Sequence, residues 1–127
     1  MKTRYTVALT LLAGITIGAV VVEGLHAQAK PKAYWISETE ALDPAAVAAY
    51  GPLIRPAIDA AGGRRLNVPG GKGVAFVGEP PKRVAVSEWE SLEKVQAFVN
   101  SDAFKKLAPQ RDKAVKTIRS YAVESAN

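Results

Sequence analysis

The sequence predicts an α+β domain in which one four-stranded antiparallel sheet carries its helices on one face. Three observations predict it. Strand-like and helix-like segments alternate in the order strand, helix, strand, strand, helix, strand. The chain has 127 residues, with 48% hydrophobic and 23% charged residues, which is the size and balance of one ordinary globular domain. It has no cysteine, so neither a disulfide framework nor a thiolate metal site can replace a hydrophobic core.

The first segment reads as an address. Met1-Lys2-Thr3-Arg4 is a short basic start, Val7 to Val22 is an uncharged apolar run, and His26-Ala27-Gln28-Ala29 ends in the A-x-A arrangement of small residues. This is the tripartite pattern of a secretory signal peptide over residues 1–29. The run lies at or below the ~17–25 residues of a membrane-spanning helix, so cleavage after Ala29 is expected over a retained anchor. The expected product, residues 30–127, is periplasmic or secreted, with no stable membrane insertion. Cleavage would remove the single histidine, His26, and the single methionine, Met1. The remaining domain would hold no His, Cys or Met. That excludes a Ser-His-Asp triad, histidine-bound zinc and haem held by those ligands. No cofactor and no metal are therefore expected, and acid–base chemistry is left to Asp, Glu, Lys or Tyr.

The domain then reads in order. Ala33 to Thr39 is a short aromatic and β-branched run, hence a strand. Asp43-Pro44 starts a helix, with Asp as N-cap and Pro in the first turn. Val47, Tyr50, Ile54 and Ile58 follow at helical spacing, and Gly62-Gly63 ends the run. Gly51-Pro52 and Pro56 predict a kink or two short helices, because an internal proline removes a backbone bond. Arg64 to Val68 reads as a strand, Pro69 to Gly73 as a turn, and Val74 to Val77 as a short strand segment before Glu79-Pro80-Pro81. Arg83 to Trp89 is a clear strand. Ser91 can cap a helix whose apolar stripe is Leu92, Val95, Phe98 and Val99, with Glu93 in its first turn. A helix restarts at Ser101-Asp102, Pro109 interrupts, Arg111 to Lys116 looks helical, and Thr117 to Glu124 is the last strand. This order is that of the split βαβ, or ferredoxin-like, sandwich. One face of its sheet stays bare, and a second copy would cover it, so a two-fold homodimer is expected.

Several pieces resemble the family catalogued as domain of unknown function 1330. They are Tyr34-Trp35-Ile36, Asp43-Pro44, Tyr50, Gly62-Gly63-Arg64, Gly70-Gly71, Glu79 and Glu88-Trp89-Glu90-Ser91-Leu92-Glu93. Asn100-Ser101-Asp102-Ala103-Phe104 resembles that family's Asn-Ser-Pro-Glu-Tyr, and Arg111-Asp112-Lys113-Ala114 and Ala122-Val123-Glu124 also fit. The resemblance implies the dimeric α/β-barrel form of the fold and no particular activity. The wider superfamily includes cofactor-free monooxygenases, haem-handling enzymes and non-enzymatic members, and fold does not choose among them.

Two constellations could carry chemistry. If the first and third strands run parallel as central neighbours, Tyr34-Ile36-Glu38 aligns with Val84-Val86-Glu88. Glu38 and Glu88 would then meet at one sheet end as a proton-sharing pair. Solvated strand ends paired with Lys or Arg are the plainer reading. In the opposite phase, Trp35, Ser37, Ala85, Ser87 and Trp89 would face the open side of the sheet. There Trp35, Ser37, Ser87 and Trp89 could line a pocket for a small apolar or aromatic ligand, or simply fill a dimer interface. Arg64, Arg65, Asn67, Arg119 and Tyr121 could contact anions or protect sheet edges. Pro69-Gly70-Gly71-Lys72-Gly73 is a turn, because it lacks the Ser or Thr of a phosphate loop and does not open a helix. Lys105, Lys106, Arg111, Lys113 and Lys116 form a solvated basic face, without the interleaved aromatics expected of a nucleic-acid partner. The expected function is an exported homodimer binding a small ligand in its barrel. The alternatives are a cofactor-independent monooxygenase or isomerase, and a structural envelope or stress protein.

Overall fold

The computed structural model describes residues 30–126. Residues 1–29, read as a signal peptide, with the expected cleavage after Ala29 and with His26, lie outside the described residues. Four strands and four helices follow in the predicted order: β1 (Ala33–Ala41), α1 (Pro44–Ala60), β2 (Arg64–Arg65), β3 (Arg83–Trp89), α2 (Leu92–Val99), α3 (Asp102–Lys105), α4 (Ala108–Ala114) and β4 (Val115–Glu124). The sheet order is β2-β3-β1-β4, and every neighbouring pair is antiparallel. Among the described residues no helix is long and apolar enough to cross a membrane.

Local chemistry explains the helix ends. The Asp43 carboxylate accepts from the Ala45 N–H at 3.1 Å, and Pro44 occupies the first turn of α1. Gly62, at φ +95°, turns the chain out of the helix, and the Gly63 N–H donates to the Ile58 carbonyl at 3.0 Å. Ser91 caps α2 by accepting from Lys94 N–H. Ser101 joins two helices: its hydroxyl donates to the Phe98 carbonyl at 2.6 Å and accepts from the Phe104 N–H at 3.3 Å.

Three expectations are corrected. The helix after Asp43 is one unbroken element despite Pro52 and Pro56. Two backbone rungs are lost, but Ile54, Ala57 and Ile58 hold it against the core, and Gly51 has no Cβ to clash with the Pro52 ring. β2 is only two residues long, and Val74 to Val77 forms no strand. Phe76 and Val77 are 95% and 96% exposed, so nothing packs there to hold an extended pair. Instead the Asn67 side chain substitutes for a backbone rung, accepting from Val86 N–H and donating to the Val84 carbonyl. Finally, Lys116 belongs to β4, and α4 begins before Pro109, which sits in its first turn, where a missing N–H costs nothing.

The core lies between the sheet and the helices. Ala33, Ile58, Trp89, Val95 and Phe98 are buried, with Trp35, Ile54, Leu92, Phe104 and Ala122 packed against them. Hence Trp35 and Trp89 face the helices, the reverse of the expected phase. Tyr34, Ile36, Val84, Val86, Tyr121 and Val123 fall in the alternate phase, on the face that no helix covers. Strand alternation alone cannot say which phase looks inward.

Trp89 is 1% exposed and rests against Gly63, where an added Cβ would stand 2.6 Å from Trp89 Cζ2 and 2.7 Å from Ile58 Cγ2. Both neighbours are core side chains with little room to retreat. Gly63→Ala is expected to lower unfolding stability by roughly 1–3 kcal/mol, the usual range for overpacking. Denaturant titration checks this, and a stability equal to the parent would show that the contact relaxes freely.

Candidate functional site

A cavity of about 770 Å³ opens between α1 and the sheet. Its floor comes from alternating strand residues: Trp35, Ser37 and Thr39 of β1, Ala85 and Ser87 of β3, and Thr117 and Ser120 of β4. One wall is the face of α1 that carries Tyr50, Ile54 and Ile58. The other is built from Val99, Phe104, Arg111 and Val115. Residues 65 and 67–69 close the β2 edge.

A register shift in β4 shapes this floor. Glu38 pairs with Arg119, but Thr39 pairs with Thr117, leaving Ile118 as an extra residue. Such a bulge resets the alternation. Without it Thr117 and Val115 would be out of phase with Ser120; with it all three join the cavity face.

Four aromatic rings form the inner end. The Trp35 ring centroid lies 6.4, 5.9 and 5.6 Å from those of Trp89, Phe98 and Phe104, each edge-on. Such pairs each contribute about 0.5–1.5 kcal/mol beyond area burial. Both indole N–H groups are satisfied: Trp89 donates to Ser87 Oγ at 2.8 Å, and Trp35 donates to Ser120 Oγ at 2.9 Å. Ser120 Oγ also lies 3.1 Å from Ser37 Oγ. Two hydroxyls share one hydrogen bond, so one O–H of the pair is left to donate elsewhere.

The residues singled out in the sequence are distributed unevenly. Trp35, Ser37 and Ser87 are brought together on the cavity floor, whereas Trp89 is a core residue behind it. They face the helices, not the open side. Glu38 and Glu88 are not brought together. β1 and β3 run antiparallel, and Glu38 stands opposite Val84 while Glu88 stands opposite Tyr34. Four residues of offset separate them by roughly 13 Å along the strands. Both lie in the phase of the uncovered face, and each has cationic partners. Arg119 grips Glu38 bidentately, at 2.6 and 2.8 Å. Lys32 and Arg64 both donate to Glu88 Oε1, at 3.2 and 3.1 Å. Arg65 pairs with Asp59 at 3.7 Å. Sequence reasoning missed Tyr50, Phe104, Arg55, Arg111 and Ser120 as cavity residues; the helical spacing of Tyr50 and Ile54 with Ile58 was their only signal.

The charges follow from these contacts. The Arg119 hydrogen bonds hold the Glu38 carboxyl below its ordinary range, against an opposing effect of burial. The Lys32 hydrogen bond, helped by Arg64, does the same for Glu88. Burial raises the Tyr50 phenol, partly offset by the Arg111 charge, so Tyr50 stays protonated at neutral pH. Arg111 lies 5.0 Å from the Phe104 ring centroid and 3.4 Å, at Nε, from Asp112 Oδ1. Among the described residues no group of three metal-ligating side chains occurs.

The family model described as "Domain of unknown function (DUF1330)" matches residues 32–126. The chain belongs to this family. Solved structures share its α+β, ferredoxin-like fold. A protein of unknown function from Rhodopseudomonas palustris is similar at 18% identity and a TM-score of 0.59, over 84% of this chain and 92% of that one. SnoaB, a cofactor-independent oxygenase from Streptomyces nogalater, is similar at 7% identity and a TM-score of 0.57, over 76% and 95% of the two chains. A conserved protein from Methanosarcina mazei Go1 is similar at 16% identity and a TM-score of 0.50, over 80% and 99%. At these identities the likeness is one of fold. No curated protein sequence matches the DUF1330 chain.

Because Glu38 and Glu88 both bind their protons more weakly when folded, they contribute stability above the ordinary glutamate range. That contribution fades as pH falls through the lowered values. Thermal melts from pH 7 to pH 3 should therefore show Glu38→Gln less stable than the parent at pH 7, with the gap closing in acid. A constant gap would mean that Arg119 does not hold the carboxylate.

Proposed function

We propose that this protein is an exported homodimer that binds a small, partly apolar ligand in the cavity between α1 and the sheet. The cavity itself carries the reading. Its volume lies within the ~300–1,000 Å³ usual for small-molecule sites. Its walls are aromatic and aliphatic, and a few polar groups converge on it, with the spare hydroxyl of the Ser37–Ser120 pair at its floor. A purely structural role gives no reason for such an opening beside a packed aromatic cluster.

The uncovered face supports the dimer. Tyr121 and Val123 are 44% and 46% exposed, on a face with Tyr34, Ile36, Val84 and Val86. Flanking them, the Glu38–Arg119 and Glu88–Arg64 pairs neutralise charge that would otherwise oppose burial. Export rests on the basic start, apolar run and A-x-A ending of the first 29 residues. An oxygenase activity draws on likeness of fold alone, and the paired carboxylates that would have served it are not assembled.

Native and intact mass spectrometry of the exported protein tests the reading. The expected species is a dimer of chains beginning at Lys30, carrying additional non-covalent mass. Ala85→Leu, which adds three carbons to the cavity floor, should keep the dimer and lose that mass. A monomer would overturn the dimer, a chain retaining Met1 or Lys2 would overturn cleavage, and a ligand held equally by Ala85→Leu would place binding elsewhere.

A further inference from the structure

We propose that the cavity selects an anion, specifically an aromatic carboxylic acid whose ring lies against Trp35 and Phe104 and whose carboxylate meets Arg55. This deepens the cavity-binding reading and rests on it. The lining is strongly one-signed: Arg55, Arg65, Arg83, Arg111 and Lys116 against the single carboxylate of Asp112. Most of these cations are already engaged. Arg65 pairs with Asp59, Arg83 donates to the Pro69 carbonyl at 3.2 Å, and Arg111 lies against both Asp112 and Phe104.

Arg55 and Lys116 are the exposed lining cations with no carboxylate partner among the described residues; Arg55 sits on α1, and Lys116 on β4. The Arg55 guanidinium folds back along α1 over Gly51, where an added Cβ would lie 3.6 Å from Nη2. A planar guanidinium free of a protein carboxylate matches a ligand carboxylate in a two-pronged contact. The remaining cations add a favourable field that a low-dielectric wall strengthens.

The apolar end sets the rest of the ligand. Trp35 and Phe104 offer ring surface, and the Ser37–Ser120 pair offers one O–H donor to an oxygen on the ligand body. Tyr50, protonated at neutral pH, adds no opposing charge. A neutral aromatic would satisfy the ring contacts but leave the cationic wall unanswered.

The test compares 2-naphthoate with its neutral analogue 2-naphthamide by calorimetric titration of the full protein at low salt. The acid is expected to bind at least about tenfold more tightly, and added salt should erode the preference. Arg55→Gln should bring the two affinities together, and Arg55→Lys should keep part of the difference; circular dichroism confirms that each variant is folded. Equal affinities in the parent, or an unchanged ratio in Arg55→Gln, would overturn anion selection and leave the cavity reading standing. If neither compound binds and Ala85→Leu behaves as the parent does, both readings fall.

Discussion

The structure depends on where Trp89 goes. Its indole is almost wholly removed from water, beneath Gly63 and against Phe98, with its N–H donated to Ser87 on the same strand. Truncating a residue buried this way typically costs about 3–5 kcal/mol. That burial decides which phase of β3 looks inward, and the antiparallel pairing of Ala33 with Trp89 then decides it for β1. Trp35 is thereby drawn to the helix side, where it meets three other rings edge-on. The cavity beyond Trp35 exists because α1 and α4 are held apart from the sheet floor at its other end. The aromatic cluster seals one end and leaves the other open.

The same phase choice sorts the charges. Each glutamate on the alternate face acquires a cation from a neighbouring strand or segment, so the face away from the helices is apolar with internally neutralised pairs. The cavity side is the reverse, with several arginines and a lysine answered by one lining carboxylate. Two faces of one thin sheet thus present different chemistry, and the proposed second copy and the proposed anion each draw on one of them. The exposed Lys32 and Arg64 contacts to Glu88 contribute little to folding individually. Their larger consequence lies in what each face accepts.

Several devices that build the site have no signature in local sequence. Ile118 is an extra residue in β4 whose insertion turns Thr117 and Val115 toward the cavity. Asn67 imitates backbone to extend a strand that is otherwise two residues long. Gly51 eases the backbone before Pro52, and the Arg55 guanidinium lies over it. Each effect depends on a partner distant in the chain or on a neighbour's shape, so residue type alone does not announce it.

The sequence by itself determined the order of elements, the helix caps at Asp43, Ser91 and Ser101, and the stop at Gly62-Gly63. These follow from short-range hydrogen bonding and backbone sterics, which act within a few residues. It also determined the family, through motifs spread over nearly the whole domain. Only the tertiary structure decided the direction of β1 against β3, which separates Glu38 from Glu88, and the face on which Trp35, Ser37 and Ser87 lie. Both are questions of pairing and phase. An alternating strand offers two faces of similar apolarity here, and only packing of Trp89 and Trp35 against helices far along the chain breaks that tie.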